Sequence, residues 1–370
     1  MGDALLAAET GLFNFDLASS YHDWLQSVAD AQRPNGQLPG IVPTGGWGFN
    51  WGSGPAWDSA FLLIPWYVYL YTGKAQIIEE NYAGMKRYIE YLDTLATNHI
   101  VRFGLGDWCH VDRSRITDTR VTSTGYYYAD TVVMAKCAEL IGNKKDAKAF
   151  HDLAKQIAIS FNNQFYNGDG TYAKGEITAL GCALYQGLCP LEETAKTAAK
   201  LDESVKANRY RADFGILGAK YVPRALADYG YAQSAYRLIT QPAFPGWVDW
   251  INHGATTLWE SWTGADSQNH IMYGDIAAWM LQYLAGITPD EKHPGFSELT
   301  IRPFAPQELN ALKVSCLLPC GSVKVDWKKE KNTFRLNLAL PKGVPCTVIL
   351  PNGITHTQKK TVMNYECELK

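Results

Sequence analysis

Apolar residues recur at helical spacing over most of the first 287 positions. The segments 12–32, 56–72, 75–97, 124–142, 145–165, 177–187, 191–206, 212–228, 229–240 and 268–285 all carry this pattern. In 82–96, Met85, Ile89, Leu92 and Leu95 share a face, while Lys86, Arg87, Glu90 and Asp93 point away. Segment 144–165 behaves alike. Its partner at 124–142 is more apolar and ends at Gly142, a natural C-cap. Apolar helices alternating with amphipathic ones are what a two-layer helical toroid needs. Inner helices are covered on both sides, and outer helices keep a wet face.

The pattern changes near residue 288. "TPDEKHPG" (288–295) reads as a linker. Short alternating runs follow at 296–304, 311–319, 321–330, 332–341 and 345–351, separated by Pro, Gly and Asn. These are expected to be antiparallel strands. The expected architecture is mainly α: a helical barrel over residues 1–288, then a small antiparallel β-sandwich over 289–370.

Composition narrows the function. Charged residues make up 19% and the net charge is −3, with no long Lys/Arg run. That argues against nucleic acid or an anionic membrane as partner. No apolar stretch reaches transmembrane length. No secretory leader opens the sequence, and the cellular location stays open. Eight Cys show no zinc or disulfide spacing, and eight His show no metal motif, so no metal or cofactor is expected. The excess is aromatic: 12 Trp, 21 Tyr and 13 Phe. Trp and Tyr join a flat apolar face to a polar handle. A sugar, with its C–H faces and hydroxyls, needs both; a large aromatic core is the other reading. Two Gly-rich loops concentrate the Trp, three in 40–57 and four in 241–270, and long loops of this kind are usually functional.

Glycoside hydrolysis needs two carboxyl groups. Among acids in loops flanked by aromatics and Gly, four stand out: Asp3, Asp58, Asp107 and Glu260. Glu260 sits in "HGATTLWESW" between Trp259 and Trp262, where partial desolvation suits acid/base work. Asp107 precedes Trp108 in "GLGDWCH" and is either a site residue or a turn cap. Asp58 in "GPAWDSAF" is either a site residue or the N-cap of the next helix. Asp3 has the same two readings. His253 and His270 flank the Glu260 loop and can contact sugar, orient a carboxylate or serve the fold.

Taken together, the segments 2–16, 54–66, 103–108, 176–184, 213–230, 244–262, 269–287 and 296–304 resemble the bacterial α-L-rhamnosidases of glycoside hydrolase family 78. Their order and spacing agree with that family, and "HGATTLWE" is the most specific. The resemblance implies an (α/α)6 barrel followed by a β-sandwich and an inverting, exo-acting release of terminal α-L-rhamnose. Glu260 matches the general base. Asp3 matches the sugar-contacting Asp of a W-x-G-D segment, Trp57 and Trp108 match walls of the rhamnose pocket, and His270 matches a sugar-contacting His. Asp58, Asp107, His253 and Trp262 are carried as further substrate contacts. The implied partner is a rhamnose-containing oligosaccharide or glycoside. The family's general-acid Glu lies upstream of the position matching Asp3, and the sequence opens just before Asp3. An N-terminally truncated barrel with weakened activity is therefore expected. The competing readings are an inverting (α/α)6 glycosidase for another sugar and a non-catalytic sugar-binding remnant.

Overall fold

A computed structural model describes residues 1–369. The helices are α1 Gly2–Leu6, α2 Ala8–Asn14, α3 Ala18–Ala31, α4 Pro55–Asp58, α5 Ala60–Thr72, α6 Gln76–Leu95 and α7 Thr119–Leu140. They continue with α8 Lys144–Phe165, α9 Ile177–Tyr185, α10 Thr194–Ala207, α11 Ile216–Asp228, α12 Ala232–Thr240, α13 Trp247–Asn252 and α14 Asp275–Trp279. The strands are β1 Leu299–Ile301, β2 Ala311–Leu318, β3 Gly321–Glu330, β4 Thr333–Ala339, β5 Cys346–Ile349, β6 Thr355–Gln358 and β7 Val362–Glu368. Two compact units divide the chain. The first holds residues 1–8, 20–66 and 76–275, and the second holds 9–19, 67–75 and 276–370. The units are thus not contiguous in sequence, unlike a single division at residue 288.

In the first unit, α7 with α8, α9 with α10 and α11 with α12 form hairpins. One member of each pair is apolar: every residue from Ile216 to Leu226 is buried, as is every residue from Ile177 to Leu184. Their partners α8, α10 and α12 bury one face only. The turn after α7 shows how the sequence sets these hairpins. Gly142 takes φ +77°, its N–H bonds to Glu139 O, and Asn143 N–H bonds to Ala138 O. That is a Schellman end. Asn143 then caps α8 by accepting from Asp146 N–H at 3.1 Å.

Several expected helices shift. The run 12–32 breaks at residues 15–17 into α2 and α3. The run 268–285 begins only at Asp275, because His270 N–H is already bonded to Leu258 O in a loop. Residues 280–284 then continue α14 as one π-helical turn. Within the long loop 241–270 the chain forms the unexpected short helix α13.

The second unit contains two sheets. One is antiparallel, in the order β2-β3-β4-β7; the other, β1-β5-β6, pairs β1 and β5 in parallel. Alternation buries Val323, Val325 and Trp327 on β3 and Phe334, Leu336 and Leu338 on β4. Strands β6 and β7 were not among the expected runs. β6 buries no residue, and β7 buries only Met363 and Cys367.

A buried ion cluster joins α11 to Asp275 within the first unit. Asp275 accepts from Lys220 Nζ at 2.9 Å and from Arg224 Nε and Nη2 at 2.6 and 2.9 Å. Burial works against its charge, but Arg224 and Lys220 outweigh it and hold the carboxyl below its usual range. Removing the carboxylate would strand two buried cations. Asp275→Ala is expected to cost about 3–5 kcal/mol in urea unfolding followed by circular dichroism. A loss below about 1 kcal/mol would show that the cluster contributes little.

Candidate active site

The 257–270 loop is shaped by its own backbone. Glu260 N–H bonds to Ser267 O at 2.8 Å, and Thr257 Oγ1 donates to Gln268 O. Gly264 turns the loop at φ +68°, where a Cβ would stand 2.5 Å from the Trp259 ring. Below the loop, Trp250 Nε1 donates to Trp262 O at 2.9 Å and Trp262 Nε1 donates to Phe214 O at 2.8 Å. Trp247, Trp250, Trp262, Tyr273 and Phe214 pack as one aromatic cluster. Glu260 is therefore held from both sides.

This loop meets α1. His270 Nε2 approaches Asp3 Oδ1 to 2.7 Å, an ion-pair distance at an angle short of a hydrogen bond. His270 Nδ1 stands 3.6 Å from Glu260 Oε2, which also accepts from Ser267 N–H at 3.1 Å. The three side chains are each about one-third exposed. The imidazole thus stands beside two carboxylates, one from α1 and one from the 257–270 loop. Catalytic contacts are often poorly aligned without substrate.

Trp57 packs against α1: a Cβ on Gly2 would stand 2.9 Å from its indole. Trp108 is 43% exposed. Cys109, which the sequence did not single out, follows Trp108 at φ +61°. Burial pushes its thiol up to about 12, and Glu260, Asp266, Asp107 and Asp3 all add to the rise. The Cys109 thiol therefore lies within the electrostatic reach of Glu260, Asp266, Asp107 and Asp3. Cys109 and Asp266 lack any motif, so only the folded chain could reveal them.

Four further residues expected as substrate contacts have other partners in the fold. Asp107 is fully buried and accepts from Thr178 Oγ1 at 2.6 Å, Gly215 and Leu217 N–H at 2.9 Å and Gly218 N–H at 3.1 Å. It satisfies the free N–H groups at the start of α11. It is a cap after all, but for a helix more than a hundred residues away. Trp262 is 1% exposed, and its indole belongs to the cluster under the loop. His253 sits at the end of α13 with an exposed ring, and its Nδ1 bonds to Asp249 O at 2.8 Å. Asp58 is buried, accepting from Tyr88 OH at 3.2 Å and Ser53 Oγ at 3.4 Å. Its carboxylate is thus turned to Tyr88 and Ser53 rather than to the N–H groups that open α5.

Burial also pushes Asp58 up to about 8, despite its hydrogen bonds to Tyr88 and Ser53. Asp130, bonded to Ser59 Oγ at 2.6 Å, is raised too, first by burial and then by Asp58. Burial thus favours the neutral form of both carboxyls. Among the described residues, no three His, Cys, Asp or Glu side chains gather as metal ligands would, and no helix is long and apolar enough to cross a membrane.

Apolar helices paired with amphipathic ones, a carboxylate–imidazole–carboxylate group among aromatic rings and a following β domain define a six-hairpin glycosidase fold. The family model of the bacterial alpha-L-rhamnosidase 6 hairpin glycosidase domain matches residues 1–284, and that of the bacterial alpha-L-rhamnosidase C-terminal domain matches 286–363. The chain belongs to this bacterial alpha-L-rhamnosidase family. It is 27% identical to an alpha-L-rhamnosidase of Formosa agariphila, over 98% of this chain and 41% of that protein. The alpha-L-rhamnosidase structure from Dictyoglumus thermophilum is 30% identical with a TM-score of 0.92, covering 100% of this chain and 45% of that one. That of Streptomyces avermitilis, complexed with L-rhamnose, shares the fold at 24% identity and a TM-score of 0.93, covering 99% of this chain and 38% of that one. The chain therefore spans less than half the length of these relatives.

Two stability predictions follow from the buried carboxyls. Asp107→Asn keeps the shape but turns one acceptor oxygen into a donor facing other donors. It is expected to cost about 3 kcal/mol in urea unfolding; unchanged stability would remove Asp107 from its capping role. Asp58 concerns pH. The unfolded chain releases this proton near pH 4, whereas the folded chain keeps it up to about pH 8. Rising pH through that window therefore favours unfolding. Asp58→Asn should gain stability relative to the native chain between about pH 5 and about pH 8. A constant difference between the two proteins across that range would sink this assignment.

Proposed function

We propose that this chain carries the sugar pocket of an exo-acting, inverting α-L-rhamnosidase, with Glu260 as general base. The supporting observation is the Asp3–His270–Glu260 group. Glu260 has one oxygen tied to Ser267 N–H, and its Oε1 has no hydrogen-bond partner among the described residues. That oxygen is suited to take a proton from water attacking the anomeric carbon. His270 stands between Asp3 and Glu260 and links their positions. Trp108 offers a flat wall to the apolar C6 methyl side of rhamnose, and the buried Trp57 backs α1 behind the pocket. The partner is a rhamnose-containing oligosaccharide or glycoside.

An inverting reaction also needs an acid across the sugar, with the two carboxyls about 6.5–9.5 Å apart so that water fits. Asp58 and Asp107 are too deeply buried and engaged to protonate a leaving oxygen. We accordingly expect this 370-residue chain to bind rhamnosides yet turn them over about 10²–10⁴-fold more slowly than a site with both carboxyls. The second reading, a sugar-binding protein without catalysis, draws on the same burial of Asp58 and Asp107.

Hydrolysis of an aryl α-L-rhamnoside separates the two. Slow turnover is expected, with the anomer of released rhamnose inverted in its first NMR spectra. Glu260→Gln should abolish that turnover and largely spare affinity. Fast release by the native chain would show that an acid is present, and turnover unaffected by Glu260→Gln would remove Glu260 as base.

A further inference from the structure

The segment between α3 and α4 carries a continuous run of indole rings. Trp57 lies buried against α1, next to the residue preceding Asp3. Trp51 meets Trp57 edge-on with centroids 6.4 Å apart, and Trp47 meets Trp51 at 4.7 Å. Trp47 is 56% exposed. The run therefore leads from the helix that carries Asp3 out to solvent.

The backbone holds this run in place. Gly40 N–H bonds to Gly48 O at 3.1 Å, Trp47 N–H to Thr44 O at 2.9 Å, and Gly48 N–H to Thr44 Oγ1 at 2.6 Å. Trp24 Nε1 donates to Val42 O at 2.9 Å, and Gln37 Nε2 donates to Phe49 O at 3.1 Å. A Cβ at Gly40 would stand 2.7 Å from the Trp51 ring, so glycine there lets the indole lie against the chain. So many fixed contacts around an exposed indole suit a preformed stacking platform better than a loop closing over a core.

The chemistry of the segment selects the occupant. Residues 40–57 contain no charged side chain, and their polar side chains are Thr44, Asn50 and Ser53. Thr44 serves Gly48 N–H, and Ser53 bonds to Asp58. Asn50 alone has no hydrogen-bond partner among the described residues. A second pyranose would bring several hydroxyls to a surface with almost nothing to bind them. A flat aryl ring asks only for a face. We propose that Trp47 and Trp51 form an aglycone subsite that stacks an aromatic ring linked to the terminal sugar. This rests on the reading of the Asp3–His270–Glu260 pocket as a rhamnoside site.

The test is equilibrium binding by calorimetry of the full chain with sulfur-linked glycosides, which resist hydrolysis. The ligands are L-rhamnose, methyl 1-thio-α-L-rhamnoside and 4-nitrophenyl 1-thio-α-L-rhamnoside. The aryl ligand should bind about tenfold more tightly than the methyl one. Trp47→Ala should erase that difference and leave the methyl ligand within about twofold, and Trp47→Phe should restore most of it. An aryl ligand no tighter than the methyl one, or equal losses for both in Trp47→Ala, would overturn the aryl subsite while the pocket reading stands. If the native chain binds none of the three, the pocket reading falls and takes the subsite with it.

Discussion

The first unit turns on one buried carboxylate. Asp107 gathers three N–H groups at the start of α11 and the hydroxyl of Thr178 on α9. The approach is close enough that a Cβ on Gly215 would lie 2.1 Å from Trp108 O. Ile216 N–H bonds to that same carbonyl at 2.8 Å. The position of Trp108 and Cys109 is therefore set by the start of α11. Along α11, Lys220 and Arg224 then reach Asp275 at the start of α14. One helix, anchored at its first turn, thus fixes the backbone of Trp108 and holds the Asp275 carboxylate.

The site itself is assembled from parts that are far apart in sequence. Asp3 comes from the first helix, and Glu260 and His270 come from a loop late in the first unit. The loop is rigid because its underside is a packed aromatic cluster with satisfied indole N–H groups, which a buried Trp requires. A half-buried imidazole between two carboxylates lets them stand near each other. Asp58 and Asp130 are buried instead, and burial raises both.

Most helices were legible because their buried faces follow the 3.6-residue period. Their ends were less so, since α14 starts where a tertiary loop releases the chain. β1 to β5 fell within the expected runs, whereas β6 and β7 are too polar to stand out. In the site, Asp3, His270 and Glu260 come together. Glu260 was visible between its tryptophans, but the pairing of His270 with Asp3 carries no local pattern. Asp107 and Trp262 misled for a common reason. Acids and indoles beside glycine look alike in sequence whether they face a ligand or support the loop that does. Burial decides between these roles, and burial belongs to the fold. Asp58 misled differently: its hydrogen bonds run to Tyr88 on a distant helix rather than to the backbone beside it.

The aromatic cluster beneath residues 257–270 divides that loop into two kinds of position. Trp262 answers to neighbours below, where volume and its N–H bond to Phe214 O leave little latitude. Thr263 and Gln268 stand exposed on the rim, and their side-chain hydrogen bonds stay within the loop. Variation among descendants of this chain can therefore accumulate on the rim without disturbing Glu260. The fold separates the part of the loop that must be inherited from the part that is open to adaptation.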